Sequence, residues 1–369
     1  MKTTKIMLKD KLSLLILSLV FIISFNSCDD KININADYSA TPIVFSLLDH
    51  RDSVHLVKIT KTFLGDGNNY DFAKVADSSY WKQVDAKIVE LNEGVATGRE
   101  WALKDSTIKD KNSGIFYGPE QRVYVFYENG LKEDHQYKLE ATLDEGDYSI
   151  DATTDLIDGF KYSTFFTGNP GSPPPNLSFG SVSSAGVVNY NFSFVRYSEG
   201  KYGAGYQTRL IFRYKENYLD GTEAIKEIIW NAKENNGFDD IDPEFPKPSR
   251  SVSFAGEGFY TFIASKITSN DNIDTRQFVD IDVITEVGHI DLMDYIEILK
   301  PSTGIAQNQP LYTNINGGLG LFSSRTVARV NNIGLTAGSI EVLCTRGETG
   351  ALKFCSTNQE HNSESFFCN

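Results

Sequence analysis

Cysteine, histidine and cationic side chains are all in short supply in this chain of 369 residues, and each shortage removes a class of function. The four cysteines, Cys28, Cys344, Cys355 and Cys368, include no Cys-x-x-Cys pair, the spacing on which most structural zinc sites depend. Of the five histidines only His50 and His55 are close in sequence, and a strand would need a turn to bring them together, so all five read as surface or edge residues. Lys and Arg number 35 against 49 Asp and Glu, a net charge of −14. A surface of that sign repels phosphate backbones and anionic headgroups, which argues against nucleic acid and against docking on a membrane by a basic patch. Also missing are a Gly-x-Ser-x-Gly elbow, a His-Glu-x-x-His pair and a phosphate loop ending in Gly-Lys-Ser/Thr. The glycines at 317, 318 and 320 lack the strand-to-helix context of a phosphate loop and read as a place of close backbone packing ahead of a strand. Long apolar runs are absent save one, residues 12–25, whose 14 residues fall short of the roughly 20 that cross a bilayer as a helix.

That one run organises the N-terminus. Lys2, Lys5, Lys9 and Lys11 precede it, and Asn26, Ser27 and Cys28 follow. A basic end, an apolar core and a small residue before the cut is the layout of a secretory signal, expected over 1–27. Cysteine directly after Ser27 resembles the lipobox of bacterial lipoproteins, where the thiol is acylated and becomes the mature N-terminus. Phe25 and Asn26 depart from the commoner Leu-Ala or Leu-Ser pair. The resemblance implies a lipid bilayer as partner through acylated Cys28. Asp29 and Asp30 resemble the signal that takes lipoproteins of the Bacteroidota to the outer face of the outer membrane. The expected location is therefore the outer membrane, surface-exposed or facing the periplasm. Loss of 1–27 removes four lysines and one aspartate and leaves a net charge near −17, so the lipid is the expected membrane hold.

What is plentiful is β-forming material: 24 Phe, 18 Tyr and 29 Gly favour strands and turns over helix bundles. The expected fold is mainly β, an N-terminal immunoglobulin-like β-sandwich over 41–166 and a second β-rich domain over 176–369 with one or two short helices. A polar tether at 28–40 precedes them, and the Pro/Gly run 167–175 separates them. Alternation places strands at 43–48, 54–60, 84–91, 122–127, 136–142 and 147–154, with Tyr137 as the candidate tyrosine corner of the sandwich. In the second block, 187–197 reads as one long strand, 206–215 and 225–230 as a pair, and 278–287 as another strand. Phe259, Phe262, Ile263 and Lys266 form a helical stripe, and 289–300 favours helix because Pro301 follows it. Residues 340–346 and 351–355 read as a hairpin. That hairpin sets Cys344 opposite Cys355, the expected disulfide, although three cysteines leave the pairing open by sequence alone.

Two kinds of residue invite a binding role. Asp66, Asn68 and Asp71 offer calcium-type oxygen ligands at short spacing, as do Asp239, Asp240, Asp242 and Glu244, although neither set fits the helix-flanked twelve-residue loop and Asx turns explain the first as well. No other cofactor is expected. Tyr80, Trp81, Trp101, Phe116 and Tyr117 in the first block, and Tyr202 and Tyr206 in the second, are aromatics in or beside loops. Such residues stack on sugars, anchor a protein partner, or fill the core.

The succession of 57–65 (VKITKTFLG), 77–81 (DSSYW), Gly114 to Phe116, Val123-Tyr124, Tyr137 to Leu139, Tyr295 and 314–322 (NINGGLGLF) resembles a family of uncharacterised Bacteroidota lipoproteins. The resemblance implies an N-terminal immunoglobulin-like sandwich and, because some members are encoded beside TonB-dependent receptors, an accessory role at an outer-membrane uptake receptor. The expectation is a non-enzymatic, membrane-anchored binding or accessory lipoprotein of the envelope. A surface hydrolase acting on glycan or peptide and a structural envelope component stand as alternatives.

Overall fold

The computed structural model describes residues 39–64, 68–109, 111–232, 239–240, 246–300 and 311–368, with only the backbone of Asp239 and Asp240. The signal-like segment 1–27, Cys28 and the tether as far as residue 38 lie outside the described residues. Residues 40–63 and 69–369 cluster as one compact unit, to which every element below belongs. The fold is mainly β, with several sheets and few short helices. Among the described residues no helix is long and apolar enough to cross a membrane.

Eight strands make the first layer pair: β1 (Pro42–Leu48), β2 (Val54–Lys61), β3 (Val84–Asn92), β4 (Val95–Ala102), β5 (Lys104–Ile108), β6 (Gln121–Tyr127), β7 (Gln136–Leu143) and β8 (Tyr148–Asp155). They pair in the orders β1-β2-β6-β5 and β4-β3-β7-β8. This is the strand order of an immunoglobulin-like sandwich. Period-2 alternation builds it: in β2, His55, Val57 and Ile59 turn inward while Val54 and Leu56 remain 44 % and 41 % exposed. Facing them, Ala86 and Ile88 of β3 and Tyr137, Leu139, Ala141 and Leu143 of β7 supply the opposite half of the core. Tyr137 is the tyrosine corner: its buried hydroxyl accepts the Lys132 N–H at 2.9 Å.

The second half adds β9 (Lys161–Tyr162), β10 (Gly180–Val182), β11 (Val188–Tyr190), β12 (Phe192–Ser198), β13 (Gly203–Tyr218), β14 (Glu223–Asn231), β15 (Asp239–Asp240), β16 (Arg250–Ala255), β17 (Ile273–His289), β18 (Leu319–Ile333) and β19 (Phe354–Cys355). Its longer helices among the described residues are α1 (Gly256–Lys266), α2 (Ile290–Leu299) and α3 (Ala337–Thr345). Long antiparallel strands run in the order β14-β13-β17-β18, and β18 then pairs in parallel with β1, so the sandwich's first sheet continues into the second half. Gly320, at φ 109°, sits where that junction forms; a Cβ there would lie 2.0 Å from the Val44 carbonyl oxygen. Close packing is thus the role of the glycine run. The two hydrophobic cores part between Leu156 and Ile157, and Ile315 and Phe322 from the C-terminal half complete the sandwich core.

Three expectations are corrected. The stretch 187–197 is two strands in two sheets, because the chain leaves β11 and turns at Asn191, whose N–H bonds the Phe179 carbonyl. Residues 340–345 belong to α3, with Arg346 as its extended C-cap, rather than to a hairpin. Ile340 and Val342 suit a strand locally, yet the spacing of Ser339, Val342 and Leu343 buries one helical face, and Ser339 Oγ accepts the N–H groups of Phe179 and Gly180. Without that hairpin Cys344 does not meet Cys355. The disulfide is Cys355–Cys368, with Cα atoms 5.1 Å apart, because the tail returns beside Ser356 through mutual backbone bonds with Phe366 and Cys368. Cys344 is a free, buried thiol whose pKa burial pushes up to about 12.

Candidate functional site

The outer, solvent-facing side of β1 and β2 carries a two-lobed cleft. Its floor follows from the strand alternation that buries Val57 and Ile59: Lys58 and Thr60 then face outward beside Ile43 and Phe45. One wall comes from the short helical turn Ala76–Ser79 and Tyr80, the other from the loop that leads into β6. That loop is tied down by its own backbone, since the Tyr117 N–H donates to the Ala73 carbonyl at 2.8 Å and Lys111 Nζ donates to the Tyr117 carbonyl at 2.6 Å. Tyr80 is fixed from below by the Arg122 N–H, which donates to its hydroxyl at 3.2 Å.

The first lobe, about 460 Å³, brings Phe63, Tyr80, Phe116 and Tyr117 together with the ammonium groups of Lys58, Lys61 and Lys111. Phe116 is 57 % exposed, with Lys111 Nζ 5.6 Å from its ring centre. Both volume and lining suit a small ligand, whose sites usually span about 300–1,000 Å³. None of this lobe's lining residues is acidic. Lys58 Nζ donates to Gln121 Oε1 at 2.8 Å; burial first, and then the positive charge of Lys111, hold its pKa below the ordinary lysine value. The second lobe, about 610 Å³, shares Lys61, Tyr80 and Tyr117 and is polar. Its carboxylates are largely engaged: Asp105 Oδ2 accepts from Arg122 Nε at 2.7 Å, and Glu120 pairs with Lys109 at 2.9 Å.

The structure therefore gathers Tyr80, Phe116 and Tyr117 in one place and sends the other aromatics elsewhere. Trp81 is core: it is 2 % exposed, donates Nε1–H to the Thr60 carbonyl at 2.8 Å and packs 4.8 Å from Tyr148, so it is not a free contact surface. Tyr206, 1 % exposed, is core too. Its ring lies 5.4 Å from that of Tyr197, and its hydroxyl accepts the Gly200 N–H at 2.8 Å. Trp101 is half-buried on β4, hydrogen-bonded to Glu128 at 2.9 Å beneath the Arg99 guanidinium. Tyr202 is half-buried with a left-handed φ of 66°, Lys201 Nζ 4.5 Å from its ring centre, in the second half of the chain. The lysines of the cleft escape sequence reading because they lie in one β-strand and a distant loop.

Four of the five histidines are not surface residues, and His50 is half-buried. His55 stacks on Phe126 at 4.5 Å, His289 accepts the Asp291 N–H at the start of α2, and His361 pairs with Ser356 Oγ at 2.8 Å; these three and His135 are buried. Burial lowers the pKa of His55 and His289. Of the calcium candidates, Asp66, Asp242 and Glu244 lie outside the described residues, as do the side chains of Asp239 and Asp240. Asp71 is exposed and pairs with Lys74 at 3.5 Å, and Asn68 directly precedes its short helix in sequence. Among the described residues no group of three or more His, Cys, Asp or Glu side chains is placed to hold a metal ion.

A scan of protein-family models finds none that matches the chain, and a search of curated proteins finds no match.

Proposed function

We propose that this protein is a lipid-anchored binding lipoprotein of the outer membrane that presents the cleft on its sandwich to a small ring-bearing ligand, as an accessory to an uptake receptor. The observation that carries the reading is the first lobe, where five aromatic residues (Phe45, Phe63, Tyr80, Phe116 and Tyr117) and three lysines line one solvent-open volume. Aromatic faces and hydroxyls side by side are the usual means of holding a ring with an apolar face and polar substituents. The role is read as non-enzymatic: two of the three carboxylates lining the second lobe, Asp105 and Glu120, are held as counter-ions of Arg122 and Lys109. Cys28 and the apolar run before it support the anchor.

The test is calorimetric titration of the purified protein with a panel of oligosaccharides, repeated with Phe116→Ala. Binding that weakens at least tenfold in the variant, with unchanged thermal unfolding, is the expected result; a ligand bound equally well by the variant defeats the assignment. The anchor is checked by labelled palmitate, which is expected on the parent chain and not on Cys28→Ala.

A further inference from the structure

The ammonium groups in the first lobe have a feature that a neutral ligand leaves unused. Lys58, Lys61 and Lys111 line one volume with no Asp or Glu among its walls, in a chain that carries 14 more acidic than basic residues. Several other cations of the sandwich pair directly with carboxylates, as with Lys87–Glu100 at 2.9 Å and Arg122–Asp105. Here the polar partners are neutral: Gln121 Oε1 for Lys58 and the Tyr117 carbonyl for Lys111, while Lys61 lies 5.5 Å over the Trp81 ring. Lys58 and Lys111 repel each other, and burial sharpens the cost on Lys58. An anion placed between them relieves both terms, and in a partly desolvated site a charge-assisted hydrogen bond is stronger than on an open surface.

The remainder of the wall says what should carry the charge. Thr60, Ser79 and Tyr117 carry hydroxyls among the lining residues of the same lobe as the Phe45, Phe63 and Phe116 rings. An alkyl chain would offer those hydroxyls nothing to bond, whereas a polyhydroxylated ring meets both kinds of surface. We infer that the cleft selects acidic sugars: a uronic acid residue whose ring lies against Phe116 and Tyr80 and whose carboxylate is held by Lys58 and Lys111. This rests on the reading of the cleft as a ligand site and adds the ligand's charge.

The experiment titrates the full-length protein in neutral detergent with galacturonic acid oligomers and with galactose oligomers of the same length, which differ only in the oxidation state of C6. The acidic oligomer is expected to bind at least tenfold tighter, to weaken as salt is raised, and to lose about tenfold in Lys58→Met and in Lys111→Met. Binding of the neutral oligomer should be unmoved by either substitution. Equal affinity for the two oligomers overturns the inference and leaves the cleft as a sugar site. Binding of decanoate in place of both also overturns it, in favour of an amphipathic acid. If none of the three binds, the cleft reading falls with it. Should a lysine variant fail to fold, the salt dependence of the parent protein decides: affinity independent of salt overturns the inference.

Discussion

His289 shows how one residue couples local geometry to the state of the whole chain. Its neutral Nδ1 accepts the Asp291 N–H at 3.2 Å and so satisfies one of the unpaired donors at the start of α2, while the ring is buried and its pKa lies below the usual value. The unfolded chain therefore binds more protons than the folded one just below pH 6.5. By linkage the stabilisation is complete above the unfolded pKa and is lost as pH falls through that region toward the depressed folded one. Buried His55, also depressed, acts in the same direction. Thermal unfolding is expected to drop by several degrees between pH 7 and pH 5, and His289→Asn, which keeps a side-chain acceptor at the N-cap, should flatten part of that slope. An unchanged slope in the variant would show that His289 does not titrate on unfolding.

At the scale of elements, the parallel pairing of β1 with β18 joins the two halves of the molecule, and Gly320 makes it possible. Its φ of 109° is open to glycine and strained for other residues, and a side chain there would meet the Val44 carbonyl. Gly320→Ala is expected to cost about 3 kcal/mol or more of unfolding free energy in a urea titration, where a surface alanine would cost little. The two sandwich strands that escaped sequence reading, β4 and β5, are both at sheet edges, with exposed positions on both faces. Their pairing comes from the neighbouring strand, with no alternation of their own to announce it. Strands β2, β3, β7 and β8 were legible because each has one buried and one open face. Helix α3 was misread for the complementary reason: its β-branched residues prefer strands, and docking on β10 overrides that preference.

For the whole molecule, the sandwich is not a closed body. Its core takes Ile315 and Phe322 from beyond residue 300, and Asp49 in the β1–β2 turn accepts the Val327 N–H at 3.2 Å. A fragment of residues 40–166 would expose the edge of β1 and leave gaps in that core. It is expected to give poorly dispersed amide spectra and to aggregate, whereas residues 40–369 give a dispersed spectrum. A well-dispersed fragment that unfolds cooperatively would show β18 to be dispensable to the sandwich.

The sequence by itself determined whatever depends on neighbours along the chain: the alternating strands, the Tyr137 corner, the helix that ends before Pro301, and the need for glycine where two backbones meet. These follow from side-chain period, capping and backbone sterics, which act over a few residues. Only the tertiary structure decided what depends on separated segments. It sent Cys355 to Cys368, buried Trp81 and Tyr206, carried the first sheet into the second half, and brought Lys58 and Lys111 to one cleft with Tyr80 and Phe116. Those outcomes turn on which surfaces meet after the chain folds back on itself, and spacing along the chain does not encode that distance.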